Sequence, residues 1–104
     1  MKEEKKARPL FVKIKHRKEY FMIFSDEYDR TGLIKEEIAK IKNIPRENIK
    51  LYYTNKRLLE DDSTNHDQQV KQNQILFVSF KNENNNEWEN INEIVNFNSE
   101  NATN

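Results

Sequence analysis

The sequence predicts an α+β domain in which a mixed β-sheet packs on one helix, followed by a C-terminal tail that carries apolar residues. Two strand-like segments come first, a helix-like segment follows, and two further strand-like segments end the pattern. This order is typical of a small sheet that is covered on one side by a single helix. At 104 residues, the chain has room for one such domain.

The first two strands form a predicted β-hairpin. Along residues 10–15, apolar side chains recur at every second position, which is the period of a strand. Residues 20–24 are rich in aromatic and β-branched side chains, and Ser25 and Asp26 end them. Residues 16–19 lack the Asn-Gly pair of a two-residue turn, so we expect a connection of four or five residues.

A helix follows the hairpin. Four apolar residues recur at helical spacing: Leu33, Ile34, Ile38 and Ile41. Charged residues occupy the other side, where Glu36 and Lys40 form a predicted i,i+4 ion pair. Asp29, Thr31 and Gly32 are the candidates for the N-terminal cap.

Pro45 ends the helix, since the residue before a proline avoids helical conformation. Residues 49–53 and 75–80 are the two remaining strands. Between them lie a turn, a short apolar pair and a polar loop: residues 54–57, 58–59 and 60–73. Val70 is the one apolar residue of the loop that we expect to reach the core.

The two ends differ in composition from the domain at residues 9–81. Residues 1–8 are nearly all charged and predict a disordered arm, whereas residues 82–104 form an asparagine-rich tail. Five large apolar residues mark a docking segment at 88–97 of the tail: Trp88, Ile91, Ile94, Val95 and Phe97. The segment is either a short helix or extended, and it docks either on its own domain or on a partner.

Composition excludes several classes of function. The 18 basic and 18 acidic residues cancel, so no overall field favours nucleic acid or an anionic membrane as a partner. No run of 18 apolar residues predicts a membrane span, and no apolar N-terminal segment predicts a secretory signal. Without cysteine there is no disulfide, and with Gly32 as the single glycine there is no phosphate-binding glycine loop.

Catalytic chemistry is not expected. His16 and His66 fall in a predicted turn and a predicted loop, without a carboxylate motif beside them, and are interpreted as surface residues. Asp61 and Asp62 are interpreted as a solvated acidic turn, and a site for a divalent ion is the alternative. We therefore predict a non-catalytic protein with no cofactor and no metal.

Apolar side chains on both faces of the second strand predict a binding surface. Phe21 and Ile23 share one face, whereas Tyr20, Met22 and Phe24 share the other. One helix covers only one face of the sheet, so the second set either curls into the core or forms an apolar interaction patch. With the tail included, the predicted partner-binding residues are Phe11, Tyr20, Met22, Phe24, Trp88, Ile91, Ile94 and Phe97.

The order of elements and several short motifs resemble elongin B, within the ubiquitin-like superfamily. The matching motifs are LFVKIK at 10–15, IFSD at 23–26, KLY at 50–52, LLEDD at 58–62, and the apolar residues of the tail. The resemblance implies a ubiquitin-like β-grasp fold. It also implies an adaptor that pairs with an elongin-C-like protein and so links receptor proteins to a cullin–RING ubiquitin ligase.

The same resemblance implies a role in a transcription elongation complex and a location in the nucleus and cytoplasm. A ubiquitin-like modifier is not expected, since no glycine follows Gly32 to form the end that conjugation requires. Tyr52 also replaces the exposed isoleucine expected in a ubiquitin-type receptor patch. The alternative is a free-standing ubiquitin-like domain that presents a mimic surface to proteasome or chaperone receptors.

Overall fold

The computed structural model describes residues 8–97, so residues 1–7 of the predicted arm and 98–104 of the tail lie outside the described residues. Its elements in chain order are β1 (Pro9–His16), β2 (Glu19–Asp26), α1 (Gly32–Lys42), a 3₁₀ helix (Arg46–Asn48), β3 (Ile49–Tyr52), β4 (Gln74–Asn82), β5 (Glu87–Trp88) and α2 (Ile91–Val95). The predicted order of the first two strands, the helix and the next two strands is confirmed. The tail contributes β5 and α2.

The strands form one mixed sheet with the order β2-β1-β4-β3. β1 is antiparallel to β2 and parallel to β4, whereas β3 is antiparallel to β4. The short β5 pairs with the end of β4 at Lys81 and Asn82. The helix α1 packs on one face of this sheet, which confirms the predicted α+β architecture.

Alternate residues of the strands point toward α1 and form the core. β1 contributes Leu10, Val12 and Ile14, and the helix contributes Ile34 and Ile38. The other two residues of the predicted apolar stripe are outside the core: Leu33 is 43% exposed and Ile41 is 53% exposed. They lie in the first and last turns of α1, at the margins of its contact with the sheet.

The predicted ion pair between Glu36 and Lys40 is wrong. Lys40 Nζ lies 3.4 Å from Glu37 Oε2, and Glu36 Oε2 lies 3.9 Å from Arg46 Nε. All four side chains are largely exposed, and exposed ion pairs contribute little to stability. Such long side chains therefore exchange partners at small cost, and helical spacing alone does not select the pair that forms.

The connection of the first hairpin also differs from the prediction. β1 and β2 are joined by Arg17 and Lys18 alone, and His16 pairs with Glu19 across the turn. Arg17 has φ 57°, so it adopts the left-handed conformation without being glycine. Its carbonyl oxygen accepts a hydrogen bond of 2.8 Å from Lys15 Nζ, which stabilises the turn.

The segment between β3 and β4 has three aliphatic residues, and only two of them are buried. Leu59 and Val70 belong to the core, which confirms the role predicted for Val70. Leu58 is exposed, although its backbone forms an isolated bridge with Tyr52. The apolar pair at 58–59 therefore contacts the core through its second member only.

A buried polar cluster holds the same segment to the rest of the domain; we call it the Asn65 cluster, and it consists of Thr31, Asn65 and Gln68. Thr31 Oγ1 donates a hydrogen bond of 2.8 Å to Asn65 Oδ1 and accepts one of 2.8 Å from Gln68 Nε2. Asn65 Nδ2 donates to the Asp26 carbonyl oxygen at 2.8 Å and to Ser25 Oγ at 3.1 Å. Thr31 is the N-cap residue of α1, but its hydroxyl serves this cluster and not the helix.

Asp61 contributes a second connection between the loop and α1. Its carboxylate lies 2.8 Å from Lys35 Nζ and 3.1 Å from Arg46 Nη2, and its carbonyl oxygen accepts a hydrogen bond from the Gly32 N–H. Asp61 is therefore an ion-pairing residue. Neither the solvated acidic turn nor the divalent ion considered from the sequence describes its role.

Replacing Gly32 with alanine should destabilise the domain. A Cβ at this position would lie 2.9 Å from the Asp61 carbonyl oxygen and 3.1 Å from Arg46 Nη2. Because backbone must move to relieve this contact, we expect a loss of about 1–3 kcal/mol in the free energy of unfolding, measured by denaturant titration. Lys40→Ala, an exposed change on the same helix, should stay within about 0.5 kcal/mol of the parent. A Gly32→Ala variant as stable as the parent would contradict the close contact.

Candidate protein-binding face

The face of the sheet opposite α1 is the candidate site; we call it the outer face. Its side chains come from alternate positions of four strands: Phe11, Lys13, Lys15, Tyr20, Met22, Phe24, Lys50, Tyr52, Ile75, Phe77 and Ser79. The hairpin register places the residues of β1 and β2 directly opposite each other as three cross-strand pairs: Phe11 with Phe24, Lys13 with Met22, and Lys15 with Tyr20. The predicted division of β2 between two faces is thus confirmed.

The tail packs on the half of the outer face formed by β3 and β4. α2 contacts β4, and its Ile94 is fully buried without belonging to the core under α1. Lys50 Nζ lies 4.3 Å from the centroid of the Trp88 ring, and Lys15 Nζ lies 5.6 Å from that of Phe97. The segment thus contains a helix, and in this structure it docks on its own domain, whereas docking on a partner stays a prediction.

Glu89 connects the start of the tail to the sheet. Its Oε1 accepts a hydrogen bond of 3.0 Å from the Phe80 N–H and lies 2.8 Å from His16 Nε2. Its carbonyl oxygen accepts a hydrogen bond of 2.9 Å from Ser79 Oγ, and Arg17 Nη2 is 3.7 Å from its other carboxylate oxygen. His16 lies at the end of β1 and also packs on the Phe80 ring, with centroids 4.8 Å apart, so its role is structural.

The other half of the outer face carries an apolar patch that we call the β2 patch; it consists of Phe11, Tyr20, Met22 and Phe24. Tyr20 is 59% exposed, Met22 46% and Phe24 72%, which are large fractions for side chains of this type. Phe11 is half-buried and packs edge-to-face against Phe24, with ring centroids 5.8 Å apart. Beside the patch is an open groove of about 380 Å³, which is lined by Lys13, Tyr20, Phe21, Met22 and Ile75.

The charge around the β2 patch is positive. Lys13 is exposed at its centre and has no ion pair within residues 8–97. Lys15 Nζ lies 5.4 Å from the centroid of the Tyr20 ring.

At the start of β2, a hydrogen bond from Lys42 holds the pKa of the Glu19 carboxyl below its ordinary value. On the tail side, burial raises the pKa of the Tyr52 hydroxyl.

The eight residues predicted to bind a partner are thus divided between two groups. Phe11, Tyr20, Met22 and Phe24 come together as the β2 patch. Trp88, Ile91 and Phe97 are half-buried in the docked tail, whereas Ile94 is fully buried and offers no surface to a partner in this structure. The sequence-based prediction of partner-binding residues did not include Lys13 and Ile75, although the alternation along β1 and β4 places both on this face.

Within residues 8–97, no group of three metal-ligating side chains is close enough to hold a metal ion. His66 is exposed and lies 3.9 Å from Glu27 Oε2 and 3.6 Å from Asp67 Oδ1. No helix of the described range has the length and apolar character needed to cross a membrane.

Comparison with known proteins identifies the fold. The model of the ubiquitin family matches residues 10–83. A solved structure of an Arabidopsis thaliana protein is similar, with 21% identity and a TM-score of 0.67 over 72% of this chain and 89% of that chain. The N-terminal ubiquitin-like domain of the 4931431F19Rik protein gives 17% identity and a TM-score of 0.68 over 78% and 83% of the two chains. Comparison with curated proteins finds no match. The predicted ubiquitin-like β-grasp fold is confirmed.

Proposed function

The chain belongs to the ubiquitin family, and from this premise we propose that it is a non-catalytic adaptor subunit of the elongin B kind. It pairs with an elongin-C-like protein, which captures receptor proteins and joins them to a cullin scaffold of a ubiquitin ligase. A role in a transcription elongation complex and a location in the nucleus and cytoplasm belong to the same proposal.

The observation that carries the proposal is the β2 patch. Three large side chains of β2 are exposed in a row, and Phe11 on β1 extends the row. Fully burying a side chain of this type contributes roughly 1.5–3 kcal/mol, so a partner that covers all of them gains favourable burial energy to set against the cost of association. Aromatic residues and methionine are also the residues that protein interfaces favour over the rest of the surface.

One observation favours the alternative, a free-standing ubiquitin-like domain with proteasome or chaperone receptors as its transient partners. Ile94 is buried by the chain's own sheet, and Lys50 lies over the Trp88 ring. The tail therefore buries Ile94 without a partner. In this alternative, the β2 patch is a small surface that receptors contact weakly.

Met22→Asp should disrupt the proposed complex. Met22 lies at the centre of the β2 patch, and a carboxylate there would have to be desolvated against apolar partner groups. We expect binding to an elongin-C-like protein to weaken by about a hundredfold, measured by titration calorimetry after co-expression. Ile41→Asp is the matched control, because it places the same charge on an exposed apolar residue of α1.

Two outcomes would contradict this assignment. If both Met22→Asp and Trp88→Ala form the complex as the parent does, neither the β2 patch nor the tail is the interface. If mass spectrometry finds that no stable partner copurifies with the tagged chain, the free-standing domain is favoured. The two outcomes are distinguishable, because the first requires a complex to be present.

A further inference from the structure

β2 is an edge strand, and its outer edge has no strand partner within residues 8–97. The two-residue turn makes His16 and Glu19 a hydrogen-bonded pair, so residues 19, 21, 23 and 25 direct their backbone groups toward β1. Phe11 confirms this alternation: its N–H donates to Gln72 Oε1, and its carbonyl oxygen accepts from the Asn73 N–H, both away from β2. Tyr20, Met22 and Phe24 consequently direct their N–H and C=O groups to the open edge.

We propose that this edge pairs with β2 of a second copy of the chain, antiparallel and centred on Met22. A two-fold axis then passes through the Met22 pair, as in other isologous contacts. Opposite Tyr20 lies Phe24 of the second copy, and opposite Phe21 lies Ile23 of the second copy. Tyr20, Met22 and Phe24 direct their N–H and C=O groups to this edge, and in this register they lie opposite one another. Their backbone groups can therefore form the hydrogen bonds of an antiparallel ladder.

The side chains along β2 are self-complementary in this register. On the outer face, the Tyr20–Phe24 pair occurs twice and extends the edge-to-face contact between Phe11 and Phe24. On the inner face, Phe21 meets Ile23, and aromatic pairs with β-branched residues stabilise neighbouring strands. The acidic and basic residues sit only at the ends of the strand, where Lys18 lies opposite Asp26 of the second copy.

β2 also lacks the features that usually prevent such pairing. Edge strands are commonly protected by proline, by a bulge or by a charged side chain in the middle of the strand. Between Tyr20 and Ser25, β2 has none of these, and its register with β1 is uninterrupted. The described part of the tail lies over β4 and reaches Lys15 of β1 with Phe97, so within residues 8–97 no part of the tail pairs with this edge.

The two-fold axis is perpendicular to the sheet and therefore keeps both outer faces on the same side. The product is a continuous sheet in which β1–β4 of the two copies supply eight strands, with one β2 patch from each copy at its centre. This inference goes beyond the proposed function, since a second copy would compete with the proposed partner for the same strand. Its test uses the chain alone and is independent of any partner.

Charge-swapped variants test the pairing directly. One variant carries Tyr20→Glu and Phe24→Glu, and the other carries Tyr20→Lys and Phe24→Lys; circular dichroism checks that each remains folded. Sedimentation velocity over a dilution series should show a dimer for the parent, monomers for each variant alone, and a dimer for their equimolar mixture. A parent that stays monomeric up to its solubility limit, or a folded mixture that stays monomeric, overturns the proposal.

The register has a separate test, because the chain has no native cysteine. In Met22→Cys, the two introduced residues would face each other with Cα atoms about 5.5 Å apart, within the range that a disulfide spans. Mild oxidation should give a covalent dimer, and Lys40→Cys on α1 should cross-link at least tenfold more slowly. Equal rates for the two variants would overturn the Met22-centred register.

Discussion

Replacing Asn65 with alanine should lower the free energy of unfolding by about 2–4 kcal/mol, although the residue lies in a loop. Asn65 is 0% exposed, and its amide makes three hydrogen bonds. Its removal leaves the Thr31 hydroxyl without an acceptor for its proton in a buried site, and it takes away one of the two hydrogen bonds that the Asp26 carbonyl oxygen accepts. Such groups cost more when left unsatisfied than their hydrogen bonds contribute.

The measurement is a denaturant titration of the variant against the parent. Asn84→Ala is the control, because Asn84 is exposed in the turn before β5 and should change stability by less than about 0.5 kcal/mol. Asn65→Asp should be at least as destabilising as Asn65→Ala, since it places a second acceptor oxygen against the Asp26 carbonyl oxygen and buries an unpaired carboxylate. If Asn65→Ala matches the control, the Asn65 cluster does not hold the loop.

Ile94→Asp should release the tail while leaving the rest of the domain folded. Ile94 is the one fully buried side chain of α2, and burying an isoleucine contributes roughly 1.5–3 kcal/mol. A five-residue helix has no stability of its own in water, so it forms only while it is docked. A carboxylate at this position would have to be buried unpaired, and we expect the docked population to fall at least about tenfold.

Trp88 reports this release, because it is the only tryptophan of the chain. Its emission should shift to longer wavelength, and the amides of residues 91–97 should exchange faster with deuterium. Asn92→Asp places the same charge on an exposed position of the helix and should leave both signals unchanged. A global loss of protection in β1 and α1 would contradict the view that the tail is an addition to a domain that folds without it.

Much of the fold could be predicted from the sequence, because periodicity along the chain reports which side chains are buried. The two faces of β2 and the core position of Val70 followed from the pattern of apolar residues alone. The Asn65 cluster did not, since polar residues in a loop give no sign of which ones find partners far along the chain. Asn65 and Thr31 are 34 positions apart, and their contact depends on the completed fold.

For the site, the period of a strand is sufficient to place Tyr20, Met22 and Phe24 on one face. It could not show that the tail packs beside them, because Ile94 buries itself equally well on its own domain or on a partner. The strand period also could not predict the two-residue turn. Arg17 adopts the left-handed backbone conformation, which glycine and asparagine usually adopt in such turns. Both outcomes depend on small energy differences between arrangements that the same residues allow.

The turn at Arg17 and Lys18 determines which side chains of β2 lie on the outer face. Opposed residues of a hairpin share a face, and a register slip of one position inverts every assignment along the strand. If Lys15 paired with Phe21 and not with Tyr20, Phe21 and Ile23 would be turned to the outer face, and Tyr20, Met22 and Phe24 would lie beneath α1. Arg17 and Lys18 make no contact within the β2 patch. The turn that they form nevertheless determines whether the apolar side chains of β2 lie on the protein surface or beneath α1.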